Sequence, residues 1–406
     1  MRVLAANKYY FVKGGAERYL FELSRILEAA GHEVVPFAMK HERNEPSPHA
    51  DLFVSHVGFD ERGRLGDKLR GAARVIYSVE ARRKIEALVR RTRPDVAHLH
   101  NVAHQLSPSI LYGLAAEGVP VVQTLHDYKL VCPNYMMFVN GRVCERCADW
   151  RYWNACARRC MRGSLSSSAL VCLEAYVHRI LGSYRRHVRF FIAPSRSMRD
   201  RVIAHGIDAD RVVHVPHAID LSGYAVRSGD QGYAAFVGRL SEGKGVMTLL
   251  RAAALARDVR LIVVGTGPLS VEAEGYAARK GLANVEFVGY HEGESLKSLV
   301  AGAAFVVVPS EWYENAPLAV YEAFALGKPV IGSAVGGIPE LVLEGLTGLL
   351  YPAGDAEALA ARLRELWADR SRAADMGRAA RRRVEEEFGS ERHYDRIMEI
   401  YERAMN

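Results

Sequence analysis

The stretch from Pro309 to Glu322, PSEWYENAPLAVYE, sets two carboxylates eight positions apart on either side of a proline. Pro317 suits the first turn of a helix, so the loop from Glu311 to Ala316 leads into a helix N-terminus, where free N–H groups and the helix dipole favour a phosphate. Glu314 then stands just before that terminus. Glu322 lies about five residues inside, ~7.5 Å along the axis at ~1.5 Å per residue, roughly the offset between the phosphates and the ribose of a nucleotide. One carboxylate can bind sugar hydroxyls and the other a ribose diol. Two glutamates facing solvent are the plain alternative.

Three further places carry matching chemistry. GRLSEGKG, from Gly238 to Gly245, puts Arg239 and Lys244 among glycines directly after an apolar run. Five positions apart, they can converge on one diphosphate, the first through its planar fork and the second as a point charge. A solvated loop is the alternative. Near the N-terminus, Lys13-Gly14-Gly15-Ala16-Glu17 stands between an apolar run and an amphipathic one. Its glycines bring bare backbone to a helix N-terminus, although a tight turn explains them equally well. VVGTGP (263–268) is a strand-to-helix turn whose glycines, Gly267 among them, fit a nucleotide edge. None of these is a G-x-G-x-x-G fingerprint or a P-loop.

Five of the six cysteines fall between Cys132 and Cys160. Cys144-Glu-Arg-Cys147 has the spacing of a zinc knuckle, and Cys132, Cys156 and Cys160 are near enough in sequence to complete a tetrahedral site. Five thiols for four positions leave the ligand set open, and small unpaired hydrophobes are the alternative. Cys172 lies in a helical run and reads as core.

The elements that must position these groups alternate. RVLAA (2–6) reads as a buried strand, residues 16–31 as an amphipathic helix, and HEVVPFAM (32–39) as the next strand. PDVAHLH, a helix near Pro108 to Glu117, VPVVQTLHD and RFFIAPS continue the series. A second series starts at YAAFVGRL (233–240) and runs through VRLIVVGTGP, VEFVGY, AAFVVVPS, KPVIGS and TGLLY. Strands alternating with helices predict an α/β protein with two doubly wound parallel sheets, each covered on both faces. The join falls in 212–232, where a short strand gives way to Pro, Gly, Ser and Asp. The expected divisions are an N-terminal domain at 1–214 carrying a Cys-rich insertion at 128–163, a second domain at 215–388, and a helix at 389–406 that packs back on the first.

The 406 residues are 49% hydrophobic and 25% charged, with a formal net charge of +7, ample for two packed domains and without the signature of disorder. The modest basic excess does not support nucleic-acid binding by itself. MRVLAANKYY lacks a signal pattern, and runs such as RLIVVGTG fall short of the roughly 20 residues of a membrane span, so a cytoplasmic location is expected. In a reducing compartment, clustered cysteines favour metal over disulfides.

SEWYENAPLAVYEAFALGKPVIGSAVGGIPELV (310–342) resembles the donor-site signature of the family-4 retaining glycosyltransferases of the GT-B type. VGRLSEGKGV, VVGTGP, the early GGAER and the late TGLLYPAGDAEALA are similar to that family in order and separation, so the likeness covers nearly the whole chain. The resemblance implies two Rossmann-like domains facing a deep cleft, with a nucleotide-diphospho-sugar, UDP- or GDP-linked, held mainly by the second. Carried over by motif, Arg239 and Lys244 hold the diphosphate. Glu314, with the backbone of Asn315, Ala316, Pro317 and Leu318, contacts the donor sugar, and Glu322 the ribose. Gly14, Gly15 and Gly267 let backbone approach the donor. His126, in QTLHD, matches the histidine that such enzymes place against the donor sugar, a satisfied strand-end histidine being the alternative. No catalytic metal is required. Relatives with a similar Cys segment favour Cys132, Cys144, Cys147 and Cys160 as the ligands of a structural zinc.

The chain departs from the family at Pro216-His217-Ala218-Ile219-Asp220, where many relatives carry Asn-Gly after the proline, and at Asn315-Ala316, where many carry Phe-Gly. The expected partners are the donor and a hydroxyl acceptor, a glycan or lipid-linked glycan. The basic stretches 81–93 and 183–189 read first as solvated helix faces; weak association with anionic lipid at the inner face of the plasma membrane is the alternative they allow. A nucleotide-sugar epimerase or another enzyme of the same fold is the competing reading. A dinucleotide oxidoreductase and a zinc-stabilised nucleic-acid module are disfavoured.

Overall fold

The computed structural model describes residues 1–56, 65–227 and 229–406, with the backbone alone for 65–70. Ser228, inside the expected join, lies outside the described residues. The chain divides into two units, one of residues 1–137, 144–217 and 391–406 and one of residues 138–143 and 218–390. The division after His217 stands three residues beyond the expected 214.

In the first unit, strands β1 (Arg2–Ala6), β2 (Glu33–Phe37), β3 (Val96–Leu99) and β4 (Val121–Thr124) are joined by helices. The hairpin of two-residue strands that comes next in the chain, β5 (Phe138–Val139) and β6 (Arg142–Val143), is grouped with the second unit and turns on Asn140 and Gly141, both at positive φ. Asn-Gly between short strands is the favoured sequence for such a tight turn. After it come β7 (Phe190–Ala193) and β8 (Val212–His214). The sheet order is β2-β1-β3-β4-β7-β8 and every pairing is parallel. Pro36 is tolerated because β2 is the sheet edge. On one face, Val3, Val96, Val122 and Ile192 pack against Tyr19, Leu23 and Leu27 of the helix Gly15–Ala29 and Ile397, Ile400, Tyr401 and Ala404 of the last helix, Ser390–Met405.

The second unit repeats the plan with β9 (Ala234–Val237), β10 (Leu261–Val264), β11 (Val285–Gly289), β12 (Val306–Val308), β13 (Val330–Ser333) and β14 (Gly348–Tyr351), ordered β11-β10-β9-β12-β13-β14. Alternate residues of one strand go to opposite cores. Val307 packs with the helices Val246–Leu255 and Ala356–Ala368, whereas Val306 and Val308 pack with Leu318–Ala325 and Arg370–Glu387. Burial on both faces is why these strands read as continuous apolar runs.

The order of connections decides where a ligand can sit. In each sheet the chain first winds outward on one side, β1 to β2 or β9 to β11, then returns to the other side of the starting strand. Ligands in such sheets bind outside the carboxyl ends of the strands where the winding reverses. Those points lie between β1 and β3 and between β9 and β12.

Candidate active site

In the second unit the loops at the reversal are Gly238–Gly245, leaving β9, and Pro309–Pro317, leaving β12. They are the two segments that the sequence singled out. Lys244 Nζ lies 2.6 Å from Glu314 Oε1, and Ser310 Oγ donates to the same oxygen at 2.7 Å. Burial works against the charge on Glu314, but the Lys244 ammonium outweighs it through its charge and its hydrogen bond. With Ser310 adding a donor, the carboxyl is held below its ordinary range. Lys244 also stands 5.3 Å from the centre of the Trp312 ring. Arg239, by contrast, is exposed and forms no ion pair among the described residues, a free guanidinium at the mouth of the same loop.

Glycine makes this approach of loops feasible. Gly245 has φ +71°, and a Cβ there would stand 1.8 Å from the Pro309 carbonyl oxygen. At Gly267 a Cβ would meet the Leu240 carbonyl at 2.3 Å, and at Gly336 that of Glu314 at 2.3 Å. Backbone hydrogen bonds then lock the loops, Glu311 N to Gly243 O at 2.9 Å and Gly337 N to Glu314 O at 2.7 Å. The helix Leu318–Ala325 is capped by Pro317 with no side-chain hydrogen bond, so its first N–H groups are offered to whatever occupies the loop. Leu318 is its first residue, Asn315 is half-buried and Ala316 is buried. Glu322 is half-buried on that helix, one turn in.

In the first unit, Gly14 is the N-cap of the helix Gly15–Ala29 and both glycines are exposed. A Cβ on Gly14 would meet nothing closer than Glu17 Oε2 at 3.7 Å, so packing within the unit does not demand glycine there. What glycine provides is bare backbone at a helix N-terminus. Behind it, Asn7 ties the reversal together, its Nδ2 donating to Glu17 Oε1 at 3.2 Å and its Oδ1 accepting from Asn101 N at 3.1 Å.

His126 follows β4 and belongs to a stack of histidines that was not legible as a group. Its Nε2 lies 3.0 Å from His100 Nδ1. The rings of His98 and His100 stack at 4.5 Å between centres, and Tyr19 packs on His217 at 4.4 Å. The C-terminal helix holds both ends of this array. His98 Nδ1 meets Tyr401 OH at 2.7 Å, and His393 Nε2 meets Tyr19 OH at 3.1 Å. Burial, helped by the neighbouring rings, pushes the pKa of His126 and His100 well below the ordinary value, so the array is neutral. The signal for part of it was His98 on β3 with His100 two positions on, just past the strand's end, a spacing that keeps both on one side next to β4. His126, His100, Asp127, Lys8, Gln123 and Tyr184 line a concavity of about 220 Å³ open to solvent, and burial pushes the Asp127 carboxyl up.

The cysteines divide into two sets. Cys132 and Cys147 share a hydrogen bond, with Cys144 and Cys160 close enough to act on Cys147 through their charge. Cys156 instead shares a hydrogen bond with Cys172, which is buried as expected on the helix Leu165–Leu181. Among the described residues no group of three or more His, Cys, Asp or Glu is placed to hold a metal ion, and the Cys132 thiol donates to Asn134 Oδ1 at 2.9 Å.

Comparison with known proteins bears on the family and the fold. The family model described as Glycosyltransferase Family 4 matches residues 13–222, just over half of the chain, and that of Glycosyl transferases group 1 matches residues 225–383. Alpha-maltose-1-phosphate synthase of Mycolicibacterium smegmatis is 35% identical over 52% of this chain, an alignment that spans 62% of that relative. Glycogen synthase of Mycobacterium tuberculosis is 28% identical over 96% of this chain and 91% of its own length. Among solved structures, Anabaena Alr3699/HepE in complex with UDP and glucose superposes with a TM-score of 0.71 at 18% identity, covering 98% of this chain and 99% of that one. Two parallel-sheet units of this kind, and the families matched along them, identify the chain as a GT-B glycosyltransferase belonging to glycosyltransferase family 4.

Proposed function

We propose that the chain is a retaining glycosyltransferase that moves a sugar from a nucleotide-diphospho-sugar, UDP- or GDP-linked, to a hydroxyl of a glycan or lipid-linked glycan in surface polysaccharide or glycolipid synthesis. The observation that carries this reading is the Lys244–Glu314 pair at the winding reversal of the second unit, beside the free Arg239 and an uncapped helix N-terminus. A diphosphate brings a second anion to Lys244 and supplies the charge for which Arg239 has no ion-pair partner among the described residues. A solved structure of the same fold was obtained in complex with UDP and glucose, which supports a nucleotide-linked donor.

In this scheme Lys244 and Arg239 take the diphosphate, and Gly267 lets backbone approach it. Glu322 accepts from the ribose hydroxyls. Glu314, oriented by Lys244 and Ser310, accepts from the sugar with the backbone of Asn315 to Leu318 around it. The bond from the anomeric carbon to the diphosphate oxygen breaks with its electron pair on that oxygen, where the two cations and the helix N-terminus lower the barrier without a divalent metal. The acceptor oxygen attacks from the face of departure and its proton passes to a donor phosphate oxygen. In the first unit, His126 is the group set against the donor sugar, with its ring held by His100, and Gly14 and Gly15 offer N–H groups to the phosphates.

A structural zinc on Cys132, Cys144, Cys147 and Cys160 rests on cysteine spacing and the family resemblance and takes no part in these steps. Elemental analysis of protein purified under reducing conditions tests it, and a zinc-free protein removes it. The donor assignment is tested by thermal shift with a panel of nucleoside diphosphates and their sugars. Stabilisation by uridine or guanosine diphosphate is expected, and no response to any of them overturns the donor site. Release of an altered nucleotide-sugar without acceptor would favour an epimerase.

A further inference from the structure

The two basic stretches of the first unit differ in a way that their sequences do not show. On the helix Val79–Thr92 the cations are largely neutralised locally. Arg82 pairs with Glu86 at 2.8 Å, Lys84 with Glu80 at 3.0 Å, Arg90 with Glu117 at 2.6 Å and Arg91 with Asp51 at 2.9 Å. Residues 151–189 carry eight arginines and one acid, Glu174. That acid is buried and bound to Lys129. None of the eight arginines forms an ion pair among the described residues. The charge of these arginines is therefore offset by no ion pair among the described residues, the exposed carboxylates of Glu145 and Asp149 standing just before the segment.

The same segment exposes an apolar stripe. On the helix Leu165–Leu181, Leu165 is 54% exposed, Leu173 53% and Ile180 75%, with exposed Ala169 between them. At 100° per residue these four fall within one quadrant of the helix, a strip ~22 Å long at ~1.5 Å per residue. Trp150 and Trp153 are also exposed, and Trp150 lies under the Arg179 guanidinium at 4.4 Å. Arginines stand at both ends of the strip, Arg159 and Arg162 before it and Arg185 and Arg186 after it. The helix has no carboxylate on its outer face, because Glu174 points inward. Aliphatic and tryptophan side chains in line, ringed by unpaired arginines, match the composition of a surface that lies in a lipid headgroup layer.

The inner face of this helix has another use. Ser167, Leu170 and Val171, with Tyr184 just beyond, line the concavity that also holds His126. We propose that the first unit docks on an anionic lipid bilayer through the outer face of the helix Leu165–Leu181 and its flanking arginines, so that the concavity takes an acceptor carried on that bilayer. The docking stands on the exposed stripe and the unpaired charge; the part about the acceptor rests on the glycosyltransfer reading above.

The test is co-flotation of the full chain with vesicles of phosphatidylcholine containing phosphatidylglycerol and with vesicles of phosphatidylcholine alone, at low salt. The wild type is expected to float with the anionic vesicles only. Leu173→Glu with Ile180→Glu, and separately Arg185→Glu with Arg186→Glu, are each expected to weaken this by on the order of tenfold or more, at ~1 kcal/mol for each arginine near such a surface. Arg83→Glu, on the exposed side of the paired helix, is the control and should float as the wild type does. Circular dichroism and the thermal shift with uridine diphosphate show whether each variant is folded and whether the donor reading holds, independently of lipid. The proposal is overturned if the wild type floats with neither vesicle, if the stripe and arginine variants float as well as the wild type, or if the wild type is a dimer that the stripe variant makes monomeric.

Discussion

Lys244 and Glu314 stand 2.6 Å apart across the two loops that leave β9 and β12. The lysine side chain keeps 27% of its exposure and the glutamate 9%, so the carboxylate is the buried partner and the ammonium reaches outward. In the donor scheme proposed above, one cation serves two anions, Glu314 and the diphosphate of a bound donor.

Replacing Lys244 by Ala should accordingly do double damage. The buried carboxylate loses its main compensation, which costs about 3 kcal/mol of stability when a buried pair is broken. The diphosphate loses a charge-assisted bond, about 2 kcal/mol or roughly 30-fold in UDP affinity. Glu314→Gln keeps the shape, so UDP should bind within a few-fold of wild type while turnover of the donor collapses. Calorimetric titration with UDP and a donor-consumption assay separate the two. Unchanged UDP affinity in the lysine variant would remove Lys244 from the site.

Arg239→Ala should behave differently, because this side chain is exposed and makes no ion pair among the described residues. The melting temperature should hold, since such surface changes stay within about 0.5 kcal/mol. UDP affinity should still fall about tenfold. Arg239→Lys should restore only part of it, since a point charge does not reproduce the bidentate fork. A loss of stability equal to that of the Lys244 variant would contradict this division of roles.

Two glycines at positive φ provide a matched pair for the loop geometry. Gly354 has φ +81° and nothing within 4 Å of where a Cβ would stand, whereas Gly245 has φ +71° with the Pro309 oxygen 1.8 Å away. Gly354→Ala should cost about 1 kcal/mol, the left-handed penalty alone. Gly245→Ala should cost well over about 2 kcal/mol and displace Lys244, so UDP binding falls with stability. Chemical denaturation of both variants, with UDP titration, is the measurement.

The buried histidines predict acid sensitivity. Burial lowers the pKa of His98 and His217 to about 3 and of His393 to about 4, against an ordinary value of ~6.5. As pH falls the unfolded chain takes up these protons first. The stability they confer is therefore complete above about pH 6.5 and is lost progressively toward pH 4, at up to ~1.4 kcal/mol per pH unit for each group. Unfolding free energies at pH 7.5, 6 and 5 should show this slope, and His393→Gln should flatten it. A stability flat from pH 7.5 to 5 in the wild type would count against the array.

Much of the catalytic case was legible because it is local. A parallel strand buried on both faces must be a short apolar run, so all six strands of the second sheet could be read from the sequence, and the loops at their ends followed. Pro317 stands immediately before its helix, as the N-cap, one position ahead of the first turn expected for it. The tight hairpin inside the cysteine run is signalled by Asn140-Gly141, but its strands of two residues each are too short to leave a periodic pattern. Spacing alone left all five cysteines of the run open as one group; the resemblance set Cys156 aside, and in the structure Cys156 turns to Cys172 in the next helix.

What the sequence by itself determined is the alternation of strand and helix, the glycines and charges at the strand ends, and hence the family. Only the tertiary structure decided that Lys244 faces Glu314, 70 positions away, and that His98, His100, His126, His217 and His393 form one neutral array around Tyr19. It also decided that one basic helix is neutralised by its neighbours while another segment is left bare. Periodicity and turn chemistry act over a few residues and leave their mark on composition. Which side chains meet is set by the winding order of the sheets, which brings together residues from anywhere in the chain.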